Sequence, residues 1–318
     1  MHQLLKVFKY FLFGLVVISL VGIAVAWKNN LPFSFLKAKY ANSDSQFTQI
    51  AGSNVHFKDI GNKNDSLPLV LIHGTGASLH TWEGWSNALK KEKRIITLDL
   101  PGYGLTGPNP QEDYSVDLYV KVVDSLLIKL GIEKCILGGN SLGGAVSWNY
   151  ALKYPSKVSK LILVDAGGYI MKSKSVPLAF KMAQWPIINS AFLYITPRFV
   201  IEKSVKNVYY DEVKVTDKLI DRYFELALRE GNRKSFIIRM TKNKIATEDI
   251  SDLIKTIKIP TLVLWGENDK LIPLESAHKF HADLPNDTLV ILPKLGHTPM
   301  EEDPIATSKV VKDFFKKY

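Results

Sequence analysis

Apolar and polar positions follow two regimes along this chain. Residues 10–27 carry no charge and are crowded with Phe, Leu, Val and Ile. From about Gln46 onward, short apolar runs alternate with longer stretches whose apolar residues recur at helical spacing. Residues 47–51 and 55–60 alternate around Gly52-Ser53-Asn54, which predicts a hairpin. Leu69-Val70-Leu71-Ile72 is unbroken, as a strand covered on both faces should be. Further strands are predicted at 94–98, 134–137, 161–164, 261–264 and 289–292. Helices are predicted at 81–91, 115–130, 142–152, 273–284 and 305–315.

This repetition predicts a mostly parallel α/β sheet, opened by an antiparallel hairpin. Residues 167–250 interrupt it with Pro177, Pro186 and Pro197 and then continue as charged, aromatic, helical sequence. An insertion of that size between two buried strands reads as a cap over one end of the sheet.

The apolar run at 10–27 would span about 27 Å as a helix, close to the thickness of a bilayer's hydrocarbon core. Residues 1–28 therefore read as an N-terminal transmembrane anchor, 29–45 as a linker, and 46–318 as the folded domain with its cap. Lys6 and Lys9 precede the run and Lys28, Lys37 and Lys39 follow, so charge alone does not orient it. A short tail before a large domain favours the domain on the extracytoplasmic side. A cleaved signal peptide competes, since Ala24-Val25-Ala26 fits the cleavage pattern, and would leave a secreted or periplasmic protein.

Composition narrows the classes. In 318 residues, 46% are hydrophobic and 23% charged, which supplies a packed core and excludes wholesale disorder. Cys135 is the single cysteine, so no intramolecular disulfide framework or cysteine-rich metal site exists. The net charge of +10 sits in residues 1–45 (+4) and 166–250 (+6). No nucleic-acid module accompanies it, so nucleic acid is not expected as a partner. Attraction to an anionic membrane surface and a solvated basic helical face both remain open.

Chemistry gathers where strands end. Gly139-Asn140-Ser141-Leu142-Gly143 matches G-x-S-x-G, follows a predicted strand and opens a predicted helix. Such a turn exposes a serine hydroxyl at the sheet's carboxyl edge. His73-Gly74-Thr75-Gly76 follows another strand, and its glycines let backbone N–H groups point into the site. A tetrahedral oxyanion needs two donors, and the N–H groups of Leu142 and Thr75 are the candidates. His73 reads as a turn brace.

His297 lies after the last predicted strand in Leu295-Gly296-His297-Thr298-Pro299, a loop context that suits a base. His278 and His281 read as a solvated helix face, with no metal site. Asp165 and Asp269 each follow a strand. Asp269, in a turn-rich loop, completes the order Ser…Asp…His and is the preferred acid. Asp99 reads as a brace for Pro101-Gly102-Tyr103-Gly104.

On HGTG at 73–76, DLPGYG at 99–104, GNSLGG at 139–144, WGENDKLIP at 265–273 and GHTPMEEDP at 296–304, the chain resembles the α/β-hydrolase family from about Gln46 to its end. The resemblance implies an eight-stranded sheet with a helical cap after the sixth strand, and carries nucleophile, acid and base onto Ser141, Asp269 and His297. It implies no metal or organic cofactor. The expected activity is hydrolysis of a small apolar ester or lipid, as in a serine esterase or lipase. GNSLGG also resembles the elbow of meta-cleavage-product hydrolases, which cut carbon–carbon bonds; a non-catalytic receptor retaining the triad is a further alternative. Phe180, Trp185, Phe192, Tyr194, Phe199, Tyr209, Tyr210 and Phe224 of the cap, with Trp82 and Trp85, are expected to divide between cap core and an apolar pocket.

Overall fold

A computed structural model describes residues 2–170, 172–242 and 249–318. Eight strands form one sheet: β1 (Ser45–Ile50), β2 (Ser53–Gly61), β3 (Leu69–Ile72), β4 (Arg94–Leu98), β5 (Cys135–Asn140), β6 (Val158–Val164), β7 (Thr261–Gly266) and β8 (Asp287–Leu292). Their order is β1-β2-β4-β3-β5-β6-β7-β8. Strand β2 pairs antiparallel with β1 and β4, and the other pairings are parallel. The hairpin turns on Ala51 and Gly52, with φ of 47° and 78°. Both are left-handed, as a tight two-residue turn requires. Ser53 is therefore already in β2, opposite Ile50, one step earlier than the sequence suggests.

Successive residues of β3 serve opposite faces. Val70 and Ile72 join a cluster with Leu126 and Val146, while Leu69 and Leu71 join Trp85, Val311 and Phe314. This is the two-sided burial that an unbroken apolar run implies. Helix Val116–Lys129 begins where the Ser115 hydroxyl accepts the Leu118 N–H, and Gly131 follows it at φ 65°. Trp82 and Trp85 are fully buried in the second cluster, and Trp85 Nε1 donates to Thr307 Oγ1 at 2.8 Å. They do not contribute to the pocket as expected, because the turn Leu79–Trp82 and the helix Glu83–Leu89 that carry them pack with Val311 and Phe314 of the closing helix Pro304–Lys317.

The cap comprises helices Leu178–Gln184, Pro186–Phe192, Arg198–Val208, Asp217–Ala227 and Asn232–Lys242. Pro186 occupies a first-turn position, and Pro177 and Pro197 stand immediately before helices. The prolines thus start helices, where a missing N–H costs nothing. Ala179, Phe192, Val200, Val205, Tyr209 and Ile220 form the cap's own core.

The N-terminal readings change. A helix runs from His2 to Ala26. Among the described residues, no helix is long and apolar enough to cross a membrane. A span takes about 20 apolar residues, and the uncharged run inside this helix, Tyr10 to Ala26, has 17. This overturns the expected single-helix anchor, the membrane localisation, and the orientation of the domain that rested on that anchor. Residues 29–45 hold helix Phe33–Tyr40, whose buried Leu36 packs with Leu105 and Leu226. Trp27 stacks on Tyr194 at 5.0 Å, and Leu31 N donates to Leu228 O at 2.8 Å. The segment is docked against the cap.

Candidate active site

Ser141 sits between β5 and helix Leu142–Lys153 with φ 54° and ψ −114°, a backbone that residues with a Cβ rarely adopt. The residues two positions to either side, Gly139 and Gly143, must be glycines. A Cβ on Gly143 would lie 2.0 Å from the Ile72 carbonyl oxygen, and one on Gly139 would lie 2.2 Å from Gly143. The strand can therefore turn into the helix only where side chains are absent. Leu142 takes the first helical position, where a backbone N–H has no partner within the helix.

His297 and Asp269 arrive from two other loops. His297 Nδ1 faces Asp269 Oδ2 at 2.7 Å, and both side chains are buried. Asp269 Oδ1 accepts the N–H groups of Leu271 and Ile272 at 2.7 and 3.0 Å, which fixes the carboxylate after β7. Ser141 and His297 line one cavity beneath the cap. Among the described residues no hydrogen bond joins Ser141 Oγ to the imidazole; such contacts are often long before substrate binds.

Gly74, Thr75 and Gly76 form one wall of the cavity, at the end of β3. The opposite wall belongs to the cap: Ala179, Phe180, Phe192, Ile201, Val205 and Phe236. Of the expected aromatics, Phe180 and Phe192 line the cavity. Tyr209 belongs to the cap core, Phe224 packs at its margin, and Trp185, Tyr194, Phe199 and Tyr210 are exposed. Arg233 is the one Lys, Arg, Asp or Glu side chain on the described lining. Its guanidinium already donates to Lys28 O at 2.9 Å and Asn30 Oδ1 at 2.7 Å.

The remaining candidates fall outside the cavity. His73 Nε2 accepts the Leu100 N–H at 3.0 Å, a brace between two strand ends. Asp99 accepts the N–H groups of Leu79 and Leu105 and contacts His56 Nδ1 at 2.7 Å. It thus holds the turn after β4. Burial opposes its charge, but the facing His56, His73 and His80 outweigh that and hold its carboxyl far below the usual range. His278 is exposed, and His281 faces Asp287 at 2.9 Å. Among the described residues, Asp165, Asp269 and His297 bring ligating atoms within 4.8 Å of one another. Hydrogen bonds to Gly266, Leu271, Ile272 and each other already occupy most of those atoms, so the group is a relay of side chains rather than a metal cradle.

Two supporting residues escaped the sequence reading. Asn140 Nδ2 donates to Val164 O at 3.1 Å and to His297 O at 2.9 Å, tying the serine turn to the histidine loop. Glu302 accepts Gly296 N at 2.8 Å and Asp211 N at 2.8 Å, pinning that loop to the cap. Both lie inside the quoted motifs, but their partners are distant in sequence.

A family model described as "alpha/beta hydrolase fold" matches residues 68–304. The chain is 30% identical over 292 residues to a 2-hydroxy-6-oxononadienedioate/2-hydroxy-6-oxononatrienedioate hydrolase of Burkholderia vietnamiensis, covering 88% of this chain and 96% of that one. It is 28% identical over 277 residues to the enzyme of the same description from Comamonas testosteroni, covering 83% and 92%. A meta-cleavage product hydrolase from Pseudomonas fluorescens superposes with a TM-score of 0.75 at 25% identity, covering 87% of this chain and 99% of that one. The strand order, the cap after β6 and the match over most of the chain lead to one conclusion: this protein belongs to the alpha/beta hydrolase family and is a hydrolase.

Proposed function

We propose that this hydrolase cleaves carboxylic esters with an apolar acyl group, through an acyl-enzyme on Ser141. Ser141 Oγ attacks the carbonyl carbon while His297 takes its proton, and Asp269 stabilises the resulting imidazolium. The N–H groups of Leu142 and Thr75 hold the oxyanion. The alcohol leaves with the proton from His297. A water deprotonated by the same imidazole then attacks the acyl-enzyme, which releases the acid and restores Ser141.

The observation that carries this reading is the cap wall: aliphatic and aromatic side chains face Ser141, and Arg233 is already engaged by Lys28 and Asn30. An acyl chain needs only such apolar surface. The dioates named for the relatives carry two carboxylates, which would need partners in a low-dielectric cavity.

A carbon–carbon hydrolase is the second reading. It is favoured by the named relatives and by Arg233, a single cation on the lining that could meet one carboxylate if its present contacts were exchanged. Turnover of p-nitrophenyl acyl esters of graded length, set against a meta-cleavage dienoate, separates the two. Ester turnover that disappears in Ser141→Ala is expected. Efficient dienoate cleavage with negligible ester turnover would reverse the ranking.

A further inference from the structure

Beside the relay lies a buried carboxyl group that the mechanism above leaves unused. Asp165 follows the last residue of β6, is fully buried, and holds a φ of 43°. That left-handed value is uncommon for a residue with a Cβ, and such strain tends to persist where function uses it. Its Oδ1 accepts the Gly266 N–H at 3.0 Å, which turns the side chain toward the end of β7. Its Oδ2 is buried and finds no donor. Its carboxyl lies within 4.8 Å of the ligating atoms of both Asp269 and His297.

Two carboxylates this close in a dry site do not both ionise. The N–H groups of Leu271 and Ile272 reach one oxygen of Asp269 and His297 Nδ1 faces the other, so both have partners. Asp165 has one N–H donor, from Gly266. Burial raises its carboxyl well above the usual range, the charge of Asp269 adds to this, the Gly266 N–H opposes it, and Glu302 adds a smaller push upward. A proton on Oδ2 also removes the orphaned acceptor, because a hydroxyl there can donate to Asp269.

We propose that Asp165 is a positioning residue of the relay, bracing Asp269 through a hydrogen bond from its second carboxyl oxygen and standing in as the imidazole's counter-charge when Asp269 is removed. This rests on the assignment of Ser141, His297 and Asp269 made above. Replacing Asp269 by Asn removes the repulsion that keeps the proton on Asp165. Asp165 can then ionise and place a negative charge near the imidazole.

The test is the rate at which a fluorophosphonate labels Ser141, followed by intact mass between acid and alkaline pH, because it requires no knowledge of the substrate. Asp165→Asn keeps an acceptor for Gly266 and a donor for Asp269, and should label within about threefold of wild type at neutral pH. Asp269→Asn should label about 10³- to 10⁴-fold more slowly, with a remnant that climbs as pH rises. The double variant should be about tenfold slower again, with no such climb. A double variant that matches Asp269→Asn in rate and pH profile overturns the proposal, as does an Asp165→Asn variant as slow as Asp269→Asn. In wild type, the infrared band of a buried un-ionised carboxyl group should be present at neutral pH, and its absence also overturns the proposal, whether or not the variants fold. A wild-type protein that does not label, or a Ser141→Ala variant that labels equally fast, sinks the relay assignment itself and the role of Asp165 with it.

Discussion

Among the described residues are two Ser–His–Asp arrangements. In one, Ser45 Oγ lies 3.0 Å from His56 Nε2, and His56 Nδ1 lies 2.7 Å from Asp99 Oδ2. In the other, Asp269 and His297 make the same 2.7 Å contact, and Ser141 shares a cavity with His297. Judged by side-chain links alone, the Ser45 set is the better connected. Yet Ser45 lies in a regular strand opposite Lys58, His56 stacks on Phe47, and Asp99 spends its oxygens on the loop N–H groups of Leu79 and Leu105. Ser141 instead has a strained backbone, a helix N-terminus behind it and an apolar cavity in front. A relay of three side chains becomes a reaction centre through the backbone and the space around its serine.

Substitutions at matching positions sharpen this contrast. Ser141→Ala should lower kcat by about 10⁴-fold or more, while Ser45→Ala should leave kcat within about twofold of wild type. Asp269→Asn should lower kcat by about 10³- to 10⁴-fold with an unfolding midpoint near that of wild type. Asp99→Asn should do the reverse. It should leave turnover per folded molecule intact and remove about 1–3 kcal/mol of stability in denaturant unfolding, because the buried N–H groups of Leu79 and Leu105 and the ring of His56 lose part of their acceptor. Equal losses of turnover in the two Asp variants would erase the distinction between the regions.

The cavity wall predicts a smaller effect. Val205→Phe should lower kcat/KM for long-chain p-nitrophenyl esters by about tenfold and spare acetate, because the new ring fills the space opposite Ser141. Equal losses at every chain length would mean that Val205 does not bound the acyl site.

Acid should weaken the Ser45 region gradually. Burial pushes His80 down to about 4, against the partial pull of Asp99, and His73 is lowered by burial in the same way. The unfolded chain takes up these protons near pH 6.5, whereas the folded protein refuses them until lower pH. Stability is therefore complete above about pH 6.5 and falls as pH drops from there toward 4, by at most about 1.4 kcal/mol per pH unit for each histidine. Thermal unfolding across that range should show the decline, and His80→Gln should flatten it. An equal slope in His80→Gln would assign the effect elsewhere.

The strands and the site loops were legible in the sequence because both depend on local signals. The unbroken run at β3 and the turn residues after β5, β7 and β8 state their roles within a few positions. Of the two aspartates that follow strands, the sequence preferred Asp269 over Asp165 as the acid, and the structure puts Asp269 Oδ2 2.7 Å from the imidazole. Long-range contacts were not legible. Trp82 and Trp85 read as pocket aromatics, but their helix faces the C-terminal helix on the other side of the sheet. Residues 29–45 read as a linker because Asn, Ser, Pro and Lys dominate there, yet Leu36 is buried against Leu105 and Leu226, with Leu31, Phe33, Tyr40 and Ala41 packed around it. The apolar run at the N-terminus read as a membrane span by composition, and the helix it forms does not meet the length and apolarity that crossing requires. Ser45, His56 and Asp99 carry no motif that sets them apart from a catalytic set, and only their surroundings do.

The central claim is that one of the two serine relays is reactive. Labelling the wild-type protein with a fluorophosphonate and locating the adduct by peptide mass spectrometry tests it most directly. The account predicts a single adduct on the peptide that carries Ser141, absent in Ser141→Ala and strongly slowed in His297→Ala. An adduct on the peptide that carries Ser45, or undiminished labelling of Ser141→Ala, would contradict it.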